Sequence, residues 1–217
     1  MIRTLNFDAP AWDKREIMRY ARIRGADNSY DSLIDDCIRE AQPILTYRVC
    51  YTVLPVNTDS SITIGNERVV SQTIGKAIHH TSEVILFATT VGAPFDRLIA
   101  RYSRVEPSKA LILQAIGAER VESLCDAFCA QMNTELSDTG KRLTRRVSPG
   151  YGDIPLSLQK EIFAVLDCPR KIGLTLDKSL LMSPSKSVTA IAGITDECEE
   201  QADKCAACDK TDCAYRN

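Results

Sequence analysis

Histidine is nearly missing from this chain: its 217 residues contain two, His79 and His80, side by side. Neighbouring side chains point apart on a strand and about 100° apart on a helix, so the two are not expected to act as one pair. They read as polar surface near a helix end, which leaves a histidine-based hydrolase or a His-rich metal enzyme without its parts. An excess of either charge is also lacking, since 27 Lys+Arg stand against 29 Asp+Glu for a net charge of -2. A dedicated nucleic-acid binder needs a basic surface for phosphates, so nucleic acid is not an expected partner. No apolar run approaches the ~18 residues of a membrane span, and the opening MIRTLNFDAP carries no signal-peptide core. The expectation is a cytoplasmic protein, away from membranes, with reduced cysteines. Phosphate-cradling motifs are absent too. DTGKR has a Gly-Lys pair without the upstream glycine spacing of a P-loop. Ser183-Pro184-Ser185-Lys186 fits Ser-x-x-Lys by chance, with no Ser-Asp-Asn or Lys-Thr-Gly partner.

What is present is ordinary globular material, 44% hydrophobic and 26% charged. A chain this long buries roughly 70% of its unfolded surface, enough for one domain with a small appendage. DKREIMRYARIRG predicts a helix capped by Asp13 and ended at Gly25, with Ile17, Met18 and Ala21 on one face. SLIDDCIREA predicts a second, stopped by Pro43. ILTYRVCYTVL alternates as a strand, SITIG is a shorter one, and EVILFATTVG reads as a strand buried on both faces. Gly92-Ala93-Pro94 then leads into the helix PFDRLIARYS. The longest helix is expected in SKALILQAIGAERVESLCDAFCAQMNTEL, opened by Ser108 and weakened but not ended by Gly117. Glu122 and Asp126 flank its apolar stripe Val121, Cys125, Phe128 and Met132. After the loop RRVSPGYGDIPLS come a short helix, SLQKEIFAVLD, and two strands, GLTLDKS and SVTAIAGI. Helices and strands mix without βαβ alternation, which predicts an α+β fold with a largely antiparallel twisted sheet and flanking helices.

The loop carries the chemistry. Gly150 and Gly152 permit close backbone approach, Arg146 offers a planar charged fork for a carboxylate, and Tyr151 offers an aromatic face with a polar tip. These are groups that a zwitterionic, adenine-bearing ligand would use. A plain structural turn is the alternative. RVSPGYGDIPLSLQKEIFAVLD followed by KIGLTLDKSLLMSPSKSVTAIAGI resembles the activation (reactivation) domain of cobalamin-dependent methionine synthase. The Arg-x-(small)-Pro-Gly-Tyr loop and the Pro-x-x-Ser-Val-(Ser/Thr) strand carry the resemblance, which extends more weakly back through ILFATTVG and the AERVESLCDAF helix.

That resemblance implies S-adenosylmethionine bound against Arg146, Ser148, Gly150 and Tyr151. It implies further contacts at Ala192 and Gly193, where the family carries bulkier aromatic residues, at Glu122 on the long helix, and loosely at Asp13. It also implies a stand-alone module at residues 1–197, too short to hold the family's folate and cobalamin units. Such a module would support reductive methylation of cobalamin on a separate corrinoid methyltransferase such as methionine synthase. A low-potential donor, flavodoxin or ferredoxin, would supply the electron. The chain would then be an accessory to methyltransferase activity, with no side-chain nucleophile or general base of its own.

Residues 198–217 form a Cys-rich tail in which Cys198, Cys205, Cys208 and Cys213 could hold zinc or an iron–sulfur cluster. A redox dithiol and an exposed tail are the alternatives. An electron-transfer or sensor protein bearing a metal or cluster is accordingly the rival reading, and a docking subunit without ligand binding is a third. Cys37, Cys50, Cys125, Cys129 and Cys168 read as small core residues.

Overall fold

A computed structural model describes residues 1–23, 30–56 and 61–196. Gly25 and the four tail cysteines therefore lie outside the described residues. In chain order the elements are β1 (Arg3–Asn6), α1 (Lys14–Tyr20), α2 (Asp31–Ala41), β2 (Arg48–Pro55), β3 (Ser61–Ile64), β4 (Glu67–Val70) and α3 (Gln72–Ala77). They continue with β5 (Glu83–Thr90), α4 (Ala93–Val105), α5 (Pro107–Ser137), β6 (Arg142–Leu143), α6 (Gln159–Leu166), α7 (Cys168–Ile172), β7 (Thr175–Leu176), β8 (Met182–Ser183) and β9 (Ser187–Thr195). β1, β2, β5, β9 and β6 lie side by side in that order, every pairing antiparallel. The α+β expectation holds.

Period-2 alternation sends each interior strand to two separate cores. Val49, Tyr51, Ile85, Phe87, Ala190 and Ala192 face one, with Ile17, Ile34, Phe95, Leu113 and Phe128 from α1, α2, α4 and α5. Cys50, Val84, Leu86, Ala88 and Ile191 face the other, with Ile64, Ile74, Ile162, Leu166 and Ile172 from the β3–β4 hairpin, α3, α6 and α7. The unbroken apolar run of β5 is thus explained by cover on both faces. Cys37, Cys50, Cys125 and Cys168 are buried and Cys129 is half-buried, as small core residues should be.

α5 is wrapped by the sheet and by α1, α2 and α4, so its burial extends around the helix and includes charge. Arg120 is fully buried, donates to the Pro10 carbonyl at 2.7 Å and the Ala11 carbonyl at 2.7 Å, and lies 3.9 Å from the Trp12 ring centre. Its ion-pair partner Glu119 also accepts from Ser123 Oγ at 2.8 Å and from the Asp13 amide at 3.3 Å. A buried charge of this kind needs every such partner. The result clamps the segment before α1 onto α5.

Three expectations need correction. The long helix opens with Glu106 at its N-cap and Pro107 in its first turn, not at Ser108. Proline's fixed φ and missing N–H suit that position. GLTLDKS contributes only the two-residue β7, paired with an equally short β8. His79 and His80 are both exposed just past α3, yet their rings meet edge to face at 3.7 Å. His80 adopts φ +54°, which breaks the geometry that would hold neighbours apart.

Candidate functional site

The loop after β6 runs along the edge of β9 and continues the sheet with one residue too many. The Thr144 amide donates to the Gly193 carbonyl at 2.9 Å, and Val147 and Ile191 exchange both backbone hydrogen bonds at 2.9 Å. Arg145 and Arg146 together therefore oppose the single residue Ala192. This is a β-bulge, a device that re-aims side chains at sheet edges. Arg145 and Arg146 point to opposite faces of the sheet, as neighbours on an extended segment do.

Arg146 turns toward α5. One guanidinium nitrogen lies 2.8 Å from Glu122 and the other 2.5 Å from Asp126, carboxylates one helical turn apart. Two like charges at that spacing repel unless a cation sits between them. Cys129 stands beside the cluster, and burial pushes its thiol pKa up despite the Arg146 charge. Asp13 lies on α1, which packs along α5, but its side chain is spent capping that helix. It accepts from the Arg15 and Glu16 amides at 2.9 and 3.1 Å.

Arg145 turns the other way, toward α3. Past Val147 the chain reverses twice. The Tyr151 amide donates to the Ser148 carbonyl at 3.1 Å, with Pro149 and Gly150 (φ +84°) in the two central positions a type II turn asks of them. Ser148 is half-buried, and Tyr151 projects with 56% of its surface exposed. Asp153 then accepts from Ser71 Oγ at 2.6 Å, the Gln72 amide at 2.6 Å and the Thr73 amide at 3.1 Å. Those donors, Ser71 Oγ foremost, hold its carboxyl well below the usual carboxylate range. Between loop and helix lies an open cleft of about 630 Å³ lined by Gln72, Thr73, Lys76, Ala77, Arg145, Val147, Tyr151 and Asp153.

The structure thus brings Arg146 and Glu122 into contact and seats Ser148, Gly150 and Tyr151 on the adjoining turn. Ala192 and Gly193 are placed differently from the expected ligand contacts. β9 is interior: Ala192 is fully buried on the α5 side, and a Cβ at Gly193 would come within 2.9 Å of the Ala77 carbonyl. The Gly193 amide is taken by Thr144 Oγ1 at 2.8 Å, so neither residue opens onto a ligand surface. Sequence reading missed Asp126, Arg145, Lys76 and the capping role of Asp153. An acidic pair one turn apart on α5, in a chain with a loop arginine to place, was the available signal for Asp126. Among the described residues, no group of three or more His, Cys, Asp or Glu side chains is arranged to hold a metal ion, and no helix is long and apolar enough to cross a membrane.

Fold and loop together define an α+β domain whose sheet edge presents an arginine–carboxylate cluster and a glycine-containing turn. Among solved structures, the MetH reactivation domain bound to AdoHcy shares this fold, with a TM-score of 0.62 over 92% of this chain and 80% of that one, at 13% sequence identity. No family model matches the chain, and no curated protein matches it.

Proposed function

We propose that this chain binds S-adenosylmethionine at the Arg146 loop and acts as an accessory to a separate corrinoid methyltransferase such as methionine synthase. The charge of the loop cluster carries this reading. Arg146, Glu122 and Asp126 sum to one net negative charge, while S-adenosylmethionine, with a carboxylate, an ammonium and a sulfonium, carries one net positive charge. The arginine fork suits the carboxylate, the two acids suit the cationic centres, and the turn backbone at Ser148, Gly150 and Tyr151 suits the adenine. The shared fold with a domain solved with AdoHcy supports the same ligand class.

When bound, S-adenosylmethionine supplies an electrophilic methyl group. The nucleophile belongs to cobalamin on the partner protein and the electron to a low-potential donor such as flavodoxin or ferredoxin. This chain's own part is positional: it grips the amino-acid end of the donor, directs the sulfonium and excludes water. Calorimetric titration tests the reading. S-adenosylmethionine is expected to bind more tightly than the uncharged-sulfur homologue AdoHcy, with a difference that shrinks as salt screens the acids. No heat from either ligand at millimolar concentration overturns it.

The four tail cysteines favour a second activity, a bound zinc or iron–sulfur cluster. A cluster would make the chain an electron relay as well as a methyl-donor holder. The visible spectrum of anaerobically purified protein distinguishes a cluster from zinc.

A further inference from the structure

We propose that the cleft on the α3 side of the bulge is a second binding site, built for a small anionic molecule that carries a phosphate group and a flat ring. It opens on the other face from the Arg146 cluster and shares only Tyr151 with the proposed S-adenosylmethionine site, the backbone bordering one and the ring lining the other. The cations come first. Lys76 from α3 and Arg145 from the bulge both line the cleft, on opposite walls. The one carboxylate among the lining residues, Asp153, accepts from Ser71, Gln72 and Thr73 and offsets only one of the two cations. The lining is therefore net positive by one charge, with the Gln72 side chain as a further polar group.

A flat ring has a place as well. Tyr151 lines the cleft with more than half of its surface exposed, above the apolar floor of Ala77 and Val147. Aromatic side chains stack on heterocycles and leave the charged end of such a ligand to Lys and Arg. The volume, about 630 Å³, falls within the range of small-molecule sites.

The cleft is also preformed. Its walls are fastened at one point by the Asp153 cap and at another by Thr144 Oγ1, which donates to the Ala77 carbonyl at 2.6 Å. Gly152, at φ +60°, lets the loop close on α3: a Cβ there would lie 2.5 Å from Thr73 Oγ1. A ligand would not have to order these walls, which is the main cost of binding to loops. Alternation along the extended segment gives each arginine its own task, Arg146 toward the acids of α5 and Arg145 toward an anion on the other face.

Adenosine diphosphate is the probe, titrated calorimetrically into the full chain with and without saturating S-adenosylmethionine. Binding is expected in both conditions, stronger than for adenosine or inorganic phosphate alone, and weakened by salt. The exposed pair Lys76→Met and Arg145→Met should reduce it by at least about tenfold, while S-adenosylmethionine titration of the same variant stays unchanged. Three results overturn the proposal: no adenosine diphosphate binding at millimolar concentration, binding that the double variant retains, or binding abolished by S-adenosylmethionine. If S-adenosylmethionine itself does not bind, the titration without it still decides the question, so the two proposals fail separately.

Discussion

Arg146 serves two masters on one helix, and its replacement separates ligand binding from folding. Arg146→Ala leaves Glu122 and Asp126 facing each other at one-turn spacing, a repulsion worth only a few tenths of a kcal/mol on an exposed helix face. The fold should survive, with an unchanged far-ultraviolet circular dichroism spectrum. S-adenosylmethionine affinity should fall by the ~1.5–3 kcal/mol typical of a hydrogen bond to a charged group, about 10- to 150-fold. Arg146→Lys should recover part of that loss, because an ammonium cannot grip a carboxylate bidentately. Equal affinities for all three proteins would remove Arg146 from the site. Asp153 gives a pH-dependent counterpart. Its pKa is depressed in the fold, so its contribution is complete above the unfolded value of about 3.9 and disappears as pH falls through the folded value. Asp153→Asn should therefore lower the melting temperature at pH 7, with a gap to wild type that narrows steadily below pH ~4. A gap that stays constant down to pH ~2.5 would contradict the capping role. At this scale the loop was legible because glycine, proline, arginine and tyrosine each have a narrow set of uses. The division of labour between Arg145 and Arg146 was not. Which face each arginine takes depends on pairing with Gly193 and Ile191, far along the chain.

Elements stood out in proportion to their length and burial. β5 and β9 read as strands because both their faces are apolar, and α5 read as a helix because its apolar positions recur over many turns. β1, β4, α3 and α7 span only four, four, six and five residues, and each is held by tertiary contacts that local propensity does not encode. Gly117 shows the same limit from the opposite direction. Helix propensity alone says that alanine there should gain up to ~1 kcal/mol. In the fold, its Cβ would come within 2.6 Å of the buried Phe95 ring and 2.7 Å of the Lys186 stem. The lysine can move, but the Phe95 ring, carried by α4, is fully buried against α5. Overpacking of that kind typically costs ~1–3 kcal/mol. Gly117→Ala is thus expected to unfold at lower denaturant concentration than wild type, and a rise in midpoint would show that α4 yields easily.

On the scale of the whole molecule, the sheet and both cores of the described residues extend no further than Thr195, before the first tail cysteine. Truncation ahead of Cys198 should then leave the melting temperature within about 2 °C of wild type, less than the shift a 1 kcal/mol loss usually produces in a chain this size. Any zinc or iron found by elemental analysis of the intact protein should disappear with the tail. Metal retained after truncation would place the site elsewhere. Less than about a tenth of an equivalent in intact, anaerobically prepared protein would dispose of a stoichiometric structural site.

β9 lies between β5 and the edge strand, and its side chains enter both cores, yet it follows every other described strand. Thr90 and Ser187, which face each other at one end of the β5–β9 pairing, are 97 residues apart. A ribosome adding ~5–20 residues per second therefore exposes β5 for several seconds before its partner exists. During that interval the middle of the sheet is an open edge, apolar on both sides, of the sort that recruits neighbouring nascent chains. Long-range closure of this kind is also slow once synthesis ends. Yield of soluble protein should accordingly depend on translation speed and temperature more than on the stability of the finished fold.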